Sequence, residues 1–267
     1  MYDNICKFLA ETFPDDVATW LLGRSVKLSK LSPKELSNEP IRADSIILQQ
    51  SEDLVLHSEF QTLPAEEIPF RMADYRLRGH RRFPQKRMVQ VVVYLKPSNS
   101  PLVYQDYFHI EGLQSQFRVI RLWEQPKDLF LQCPGLLPFA VLSRTDNRPQ
   151  VLNQVAEELD KIEDRRTRSN LAAATGVLAG LVMGEDVIRQ IIRRDVMRES
   201  VIYQEILQEG ELIGEQRGEQ RGEQRGILEG KQQVAINLLR QGMTVEQVVN
   251  LTELPRDVVE RLRDDNG

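Results

Sequence analysis

The sequence predicts an α/β fold in which helices flank a mixed β-sheet, followed by an all-helical C-terminal extension. Three observations predict it. Short β-branched or apolar runs occur between residues 42 and 123, one of these runs is apolar on both faces, and helical spacing dominates from residue 150 onward. With 267 residues, of which 41% are hydrophobic, the chain can bury a sizeable core, so a mainly disordered protein is excluded.

The N-terminal elements follow from the spacing of apolar residues. Residues 5–22 show helical spacing around Pro14, which predicts two short helices. Residues 42–50 and 54–62 predict a hairpin, because both are short and apolar or β-branched and three polar residues separate them. Residues 64–82 predict a helix, since a proline and two acidic residues suit its start.

The next elements complete the sheet and begin the helical part. Residues 88–95 form a nearly unbroken valine run, typical of a strand buried on both faces, and residues 117–123 predict a further strand. The order of helix, two strands, helix and two strands indicates a mixed sheet flanked by helices. Helices are predicted at residues 150–162, 165–183 and 185–208.

We predict three segments: an α/β domain over residues 1–205, a glycine repeat over 206–230 and a small helical tail over 231–267. The repeat places a glycine at every fourth position, and each glycine costs about 1 kcal/mol relative to alanine in a helix interior. The repeat is either a soluble spacer or a helix whose glycine stripe packs on a partner helix, giving a homo-oligomer. The six glycines are Gly210, Gly214, Gly218, Gly222, Gly226 and Gly230.

The tail contains three short helical patterns that resemble a helix-turn-helix unit. From Lys231 to the end there are five basic and six acidic residues, and the acidic ones would repel phosphate. A packing or oligomerisation module is therefore favoured over DNA recognition for this tail.

Composition limits the class of protein. A net charge of −5 argues against a surface coated in positive charge. Cys6 and Cys133 lie far apart without a CxxC motif, which argues against a zinc knuckle or a disulfide framework and favours the cytoplasm. No secretory signal is predicted. The longest small and apolar stretch, residues 171–184, falls short of the about 20 residues that a membrane span needs, so no membrane association is expected.

Two acidic residues of the predicted hairpin indicate a candidate site. Strand alternation places His57 and Glu59 on one face, and a turn centred between Ser51 and Glu52 would set Asp44 opposite Glu59, with Cβ atoms about 4.5–5.5 Å apart. Such carboxylates repel unless one is protonated or a cation lies between them. They form either a site for a hard divalent ion, Mg²⁺ or Mn²⁺, or two solvated carboxylates at strand ends.

Several motifs carry a family resemblance: Arg42-Ala43-Asp44, His57-Ser58-Glu59-Phe60-Gln61 and Arg71-Met72-Ala73-Asp74-Tyr75. In their order of strand, strand and helix they resemble the core of the PD-(D/E)XK nuclease superfamily, and in particular the Rpn-type family of recombination-promoting nucleases and transposases. Tyr2-Asp3 is similar to the family's early acidic residue, and residues 197–203 are similar to its C-terminal helix. The resemblance covers about residues 1–230.

The resemblance implies a metal-dependent DNA endonuclease associated with recombination. Asp44 and Glu59 would bind Mg²⁺, or Mn²⁺, with the Phe60 carbonyl as a further ligand. Gln61 replaces the lysine of the standard motif, and a neutral amide orients a water only by hydrogen bonding. Ala43 replaces the motif's proline, which is not a ligand. The alternative is a catalytically degenerate nuclease fold that acts as an interaction or oligomerisation module.

A basic segment directly follows the candidate site. Residues 71–87 contain seven basic side chains and one acidic one, a net charge of +6 that the overall average conceals. The segment is either a phosphate-binding surface or a solvated helix face. Arg71 and Tyr75 share a helix face, where Arg71 would contact the scissile phosphate or brace the carboxylates and Tyr75 would contact phosphate or pack. The predicted DNA-binding residues are Arg71, Tyr75, Arg78, Arg81 and Arg82.

Overall fold

The computed structural model of the protein describes residues 2–30, 46–192 and 200–266. The chain divides into two compact units between Ile206 and Leu207. The first unit is α/β with a mixed five-stranded sheet, and the second is helical. Within the ranges that the structure describes, no helix is both long and apolar enough to cross a membrane.

The first unit opens with helices α1 (Tyr2–Thr12) and α2 (Pro14–Leu22). Its strands are β1 (Ser29–Lys30), β2 (Ile46–Gln50), β3 (Leu54–Gln61), β4 (Arg87–Tyr94), β5 (Tyr107–Ile110), β6 (Leu113–Gln116) and β7 (Arg118–Arg121). Helix α3 (Ile68–Arg82) connects β3 to β4. The helices after the sheet are α4 (Asp128–Leu131), α5 (Leu137–Ala140), α6 (Arg148–Asp160), α7 (Arg165–Ala179) and α8 (Glu185–Ile191).

The sheet has the strand order β1-β2-β3-β4-β7. Strands β1, β2 and β3 pair antiparallel, whereas β3, β4 and β7 pair parallel. The parallel step from β3 to β4 needs a crossover, which α3 supplies. The predicted mixed sheet is confirmed, and β3 lies at its centre. Strands β5 and β6 form a separate hairpin that the sequence analysis did not predict.

The turn between β2 and β3 sets a register that differs from the predicted one. The Ser51 amide donates to the Leu54 carbonyl at 2.9 Å, so the two-residue loop is Glu52-Asp53. The Ser51 hydroxyl also donates to Asp53 Oδ1 at 2.8 Å, which favours this loop.

In consequence Ile46 stands opposite Glu59, and the predicted pairing of Asp44 with Glu59 is wrong by two residues. A shift of two, unlike a shift of one, leaves each β2 residue on the face assigned to it, so Leu48 still shares the face of His57. Asp44 itself lies outside the described residues.

The two faces of the sheet carry separate cores. The larger core lies between the sheet and α1, α2, α5, α6 and α7, and β3 contributes Leu56 and Phe60 to it. On the opposite face α3 covers the sheet, where Val55 packs with Tyr75, and Met72 packs with Val92. Strand β3 is therefore buried on both faces except at its last residue.

The second unit contains most of α9 (Val201–Arg240), followed by α10 (Val245–Thr252) and α11 (Arg256–Asn266). The glycine repeat is part of α9, and a Cβ added at Gly222, Gly226 or Gly230 would meet nothing within 4 Å. The predicted helix over residues 185–208 is corrected, since α8 ends at Ile191 and α9 begins at Val201, with 193–199 outside the described residues. The core of this unit is formed by Ala235, Val248, Leu254 and Val259.

Candidate active site

Strand β3 presents polar side chains to the face that α3 covers. His57 and Glu59 lie two residues apart on this face, and both are fully buried. Gln61, the next residue of the same face, is half-buried at the end of the strand. A carboxylate that leaves water loses several kcal/mol of hydration, so Glu59 has to be paired to be tolerated here.

Arg71, in the first turn of α3, supplies this pairing. Its Nε donates to Glu59 Oε1 at 3.2 Å and to Oε2 at 3.1 Å, and its Nη2 donates to Oε2 at 2.8 Å. Gln61 Nε2 adds a hydrogen bond to Oε2 at 3.3 Å. The Arg71 side chain is 30% exposed, so the ion pair reaches solvent only on the side of the arginine. Of its two predicted roles, Arg71 here takes that of a brace for the carboxylate.

A chain of polar contacts continues from Glu59 through the interior. His57 Nε2 lies 3.5 Å from Glu59 Oε1, and His57 Nδ1 lies 3.0 Å from Nε2 of Gln90 on β4. Gln90 Nε2 donates to the Met72 carbonyl of α3 at 2.7 Å. The Tyr75 ring meets the imidazole edge to face at 5.1 Å between centroids. The imidazole is therefore held by β3, β4 and α3 together.

These surroundings determine the charge of the site. Burial alone would raise the pKa of Glu59, but the His57 N–H and the Arg71 guanidinium hold the pKa of that carboxyl below its usual range. Glu59 is thus ionised at neutral pH. Burial, reinforced by the negative charge of Glu59, raises the pKa of Tyr75 to about 12, so its phenol keeps its proton. Burial and then the Glu59 charge also raise the pKa of Tyr94.

A second carboxyl group of the described chain lies within the electrostatic reach of Glu59. Burial raises the pKa of Asp3 in α1, and the negative charge of Glu59 raises it further, while the charge of Arg71 lowers it. Asp3 is the residue that the family resemblance matched to an early acidic position. The fold therefore brings the start of α1 near the end of β3, a proximity that strand spacing alone does not predict.

The oxygen donors at the end of β3 suit a hard divalent ion in their chemistry. The Gln61 carbonyl accepts from the Leu95 amide at 2.9 Å and so points to β4, which by strand alternation directs the Phe60 carbonyl to the side of β2. Glu59 and the Phe60 carbonyl thus lie where β2 begins. No group of three or more His, Cys, Asp or Glu side chains fit for a metal occurs among the described residues, which exclude Asp44.

The residues predicted to bind DNA divide into two groups. Tyr75 is only 5% exposed and packs on His57, and Arg78 donates to both carboxylate oxygens of Asp74, at 3.0 and 2.9 Å. Arg81 and Arg82 are exposed in the last turn of α3. The guanidinium of Arg82 lies 5.6 Å from the centroid of the Phe83 ring. Two of the five predicted residues therefore present their charge openly to solvent.

Gln90 is a member of the site that the sequence analysis missed. It is the one polar residue in the run Met88-Val89-Gln90-Val91-Val92-Val93 of β4, and it is 2% exposed. A polar side chain inside a strand buried on both faces requires a partner, and this was the available signal. Its position opposite His57 became visible only with the parallel register of β3 and β4.

Comparisons of the chain with protein-family models, with curated proteins and with solved structures find no match.

Proposed function

We propose that this chain is a metal-dependent DNA endonuclease of the PD-(D/E)XK type. The observation that carries the proposal is Glu59: an ionised carboxylate, fully buried at the end of the central strand, two residues before Gln61. An apolar side chain of similar size would give a core of equal or greater stability, because burying an ion is costly. A chemical role for the carboxylate would explain why a buried charge stands here in place of an apolar side chain.

Each residue of the site has a role in such an enzyme. Glu59 and the Phe60 carbonyl would hold a divalent cation, Mg²⁺ or Mn²⁺, together with Asp44. When bound, such an ion lowers the pKa of a coordinated water and neutralises charge on the phosphate. Gln61 donates through Nε2 to Glu59, so its Oε1 is the atom that would accept a hydrogen bond from the attacking water and orient it.

Arg81 and Arg82 would contact the DNA backbone, whereas Arg71 would act as the brace of Glu59. Arg71 is partly exposed beside Glu59, and Arg81 and Arg82 are exposed at the other end of α3. Contacts with phosphates give affinity that falls with salt and carries no sequence information. We expect that replacing both Arg81 and Arg82 with alanine lowers the salt dependence of DNA binding by about two phosphate contacts.

A nuclease fold without activity is the second candidate, and one observation favours it. Arg71 already donates to both oxygens of Glu59, so the negative charge that a metal would balance is balanced within the chain. In this case the protein would act as an interaction or oligomerisation module.

Nicking of supercoiled plasmid with Mg²⁺ or Mn²⁺, and with chelator, separates the two candidates. The variants are Asp44→Asn and Glu59→Gln, which remove charge without changing side-chain size. The matched control is Glu52→Gln, an exposed carboxylate in the turn of the same hairpin. We expect cleavage by the wild type and the control and a loss of about 100-fold or more in both variants.

Two results would contradict the endonuclease. Equal cleavage by the wild type and by both variants would remove the site assignment. A wild type that neither nicks plasmid nor binds Mg²⁺ or Mn²⁺ in calorimetry would favour the second candidate, an inactive nuclease fold that acts as an interaction or oligomerisation module.

A further inference from the structure

We infer that Gln90 is a positioning residue that fixes His57 as the tautomer with its proton on Nε2, directed at Glu59. The inference concerns the orientation of Glu59, and its importance for metal binding rests on the proposed function. It starts from three side chains that are almost completely buried: His57 and Glu59 are 0% exposed and Gln90 is 2% exposed. Water therefore does not compete for their hydrogen bonds.

The backbone of α3 determines which amide atom of Gln90 faces His57. The atom that lies 2.7 Å from the Met72 carbonyl has to be a donor, because a carbonyl oxygen only accepts hydrogen bonds. It is therefore the amide nitrogen, and the orientation of the Gln90 side chain is fixed by the backbone of α3. The same nitrogen lies 3.0 Å from His57 Nδ1.

This amide nitrogen in turn determines which ring nitrogen of His57 carries the proton. An amide nitrogen has two hydrogens and no lone pair to accept with, so the hydrogen not given to Met72 is donated to Nδ1. Nδ1 is then an acceptor without a proton. The neutral imidazole carries its proton on the other nitrogen, Nε2, which lies 3.5 Å from Glu59 Oε1.

The tautomer of His57 affects the neighbouring carboxylate of Glu59. In this tautomer the N–H attracts the carboxylate electrostatically across 3.5 Å without forming a hydrogen bond, whereas in the opposite tautomer the lone pair of Nε2 would repel it. His57 acts on Oε1, Gln61 holds Oε2 and Arg71 donates to both oxygens, so the carboxylate is fixed from more than one side. The Tyr75 ring, 5.1 Å from the imidazole, limits its rotation. Partners of this kind behind a metal ligand typically change metal affinity by about 10–100-fold when they are replaced.

The test is Gln90→Glu, which keeps the size of the side chain and replaces the donor nitrogen with an oxygen. Nitrogen-15 NMR of histidine-labelled protein distinguishes the two tautomers, and the His57 signals are assigned by their loss in His57→Gln. We expect Nε2–H with unprotonated Nδ1 in the wild type. In Gln90→Glu we expect Nδ1 to become protonated and Mn²⁺ affinity, measured by calorimetry, to fall about 10–100-fold.

The chain offers a matched control in Gln49→Glu. Gln49 is also a buried strand glutamine, 3% exposed, and its Nε2 donates to the Ala10 carbonyl at 3.0 Å. It faces the opposite side of the sheet from His57, since its partner in the register is Leu56. We expect Gln49→Glu to lower stability but to leave the His57 tautomer and the Mn²⁺ affinity unchanged.

A wild-type His57 protonated on Nδ1 overturns the inference, and this measurement needs no variant to fold. An unchanged His57 spectrum in Gln90→Glu overturns it as well. The expected tautomers in a protein that does not bind Mn²⁺ at all would support the positioning role of Gln90 and contradict the proposed endonuclease, so the two failures are distinguishable.

Discussion

Strand β3 is buried on both faces, but the two faces have different chemistry. On one face Leu56 and Phe60 enter the apolar core, where the Phe60 ring stacks on Phe139 with centroids 5.7 Å apart. On the other face His57 and Glu59 point to α3. The first face stabilises the protein by the burial of apolar surface, at about 25 cal/mol for each Å².

The second face instead carries a desolvation cost that hydrogen bonds and an ion pair offset. The same strand, at the same depth in the protein, thus contributes to stability in two opposite ways. Burial alone therefore does not identify a structural core, and the polar face is the part of β3 where a chemical role is expected.

A substitution on the apolar face should lower the stability of the protein most. Phe60→Ala removes a fully packed ring and should lower the free energy of unfolding by about 3–5 kcal/mol. Urea unfolding followed by tryptophan fluorescence measures it, because Trp20 packs on Phe139 in the same core. The control is Leu77→Ala on α3, 51% exposed, which should change stability by less than about 0.5 kcal/mol. Equal losses in the two variants would contradict the assignment of Phe60 to the core.

A smaller effect is expected from breaking the polar face. Arg71→Met leaves the buried Glu59 charge without its cation and should destabilise by about 2–3 kcal/mol. The double variant Glu59→Gln/Arg71→Met should lose less stability than the sum of the losses in the two single variants, because it contains no unpaired buried charge. The control is Arg78→Met. Arg78 pairs with Asp74, whose side chain is 36% exposed, so this variant should lose less than about 1 kcal/mol of stability. Simple additivity in the double variant would show that Glu59 does not depend on Arg71.

Lowering the pH should test whether Glu59 on the polar face is ionised in the folded protein. The pKa of Glu59 in the folded protein is below its usual value, so its stabilisation is present above about pH 4.3 and is lost as the pH falls through the folded pKa. Between about pH 5 and 3 the wild type should therefore lose more stability than Glu59→Gln, as measured by urea midpoints.

The opposite sign is expected for Asp3, whose pKa is raised, so that its contribution is lost as the pH rises. Asp3→Asn should therefore increase stability at pH 7.

For Glu59, parallel pH profiles of the wild type and Glu59→Gln would contradict its ionised state.

The smallest expected effect concerns how closely α3 lies over the polar face. A Cβ at Gly79 would meet Met88 Sδ at 2.7 Å, whereas a Cβ at Gly226 in α9 would meet nothing within 4 Å. Gly226→Ala should raise helix stability by about 1 kcal/mol, and Gly79→Ala should show no such gain because Met88 has to move. Thermal unfolding followed by circular dichroism compares them. An equal gain in both would show that α3 has room to spare above β4.

The general course of the fold was predictable because its signals are local and periodic. The valine run of β4 indicated burial on both faces, and Leu56 and Phe60 alternate with His57 and Glu59 as strand geometry requires. The register of the hairpin was not predictable. Turns at Ser51-Glu52 and at Glu52-Asp53 differ by two residues in register, and a single hydrogen bond from Ser51 to Asp53 favours the second.

The site was predictable in part for the same reason. Glu59, Gln61 and Arg71 could be proposed from their spacing, since strand and helix periods put them toward one place. The place of Gln90 beside His57 could not be predicted because it depends on the parallel pairing of β3 and β4. Asp3 was matched only through the family resemblance, because its proximity to Glu59 depends on the placement of α1. The hairpin β5–β6 was missed because its turn glycine, Gly112, with φ of 78°, lies between short strands that are mostly exposed.

The described part of the polar site is local in sequence, and this has a consequence for folding. Its pairing residues lie between His57 and Gln90, and the crossover helix α3 between the parallel strands β3 and β4 brings them together. The apolar face is covered by α1 and α2 and also by α5 to α7, which begin more than 70 residues after β3. Contacts between near neighbours in the chain close smaller loops and form earlier. We therefore expect the polar face of β3 to be covered while part of its apolar face is still exposed to water. This stage of folding should be the most prone to aggregation.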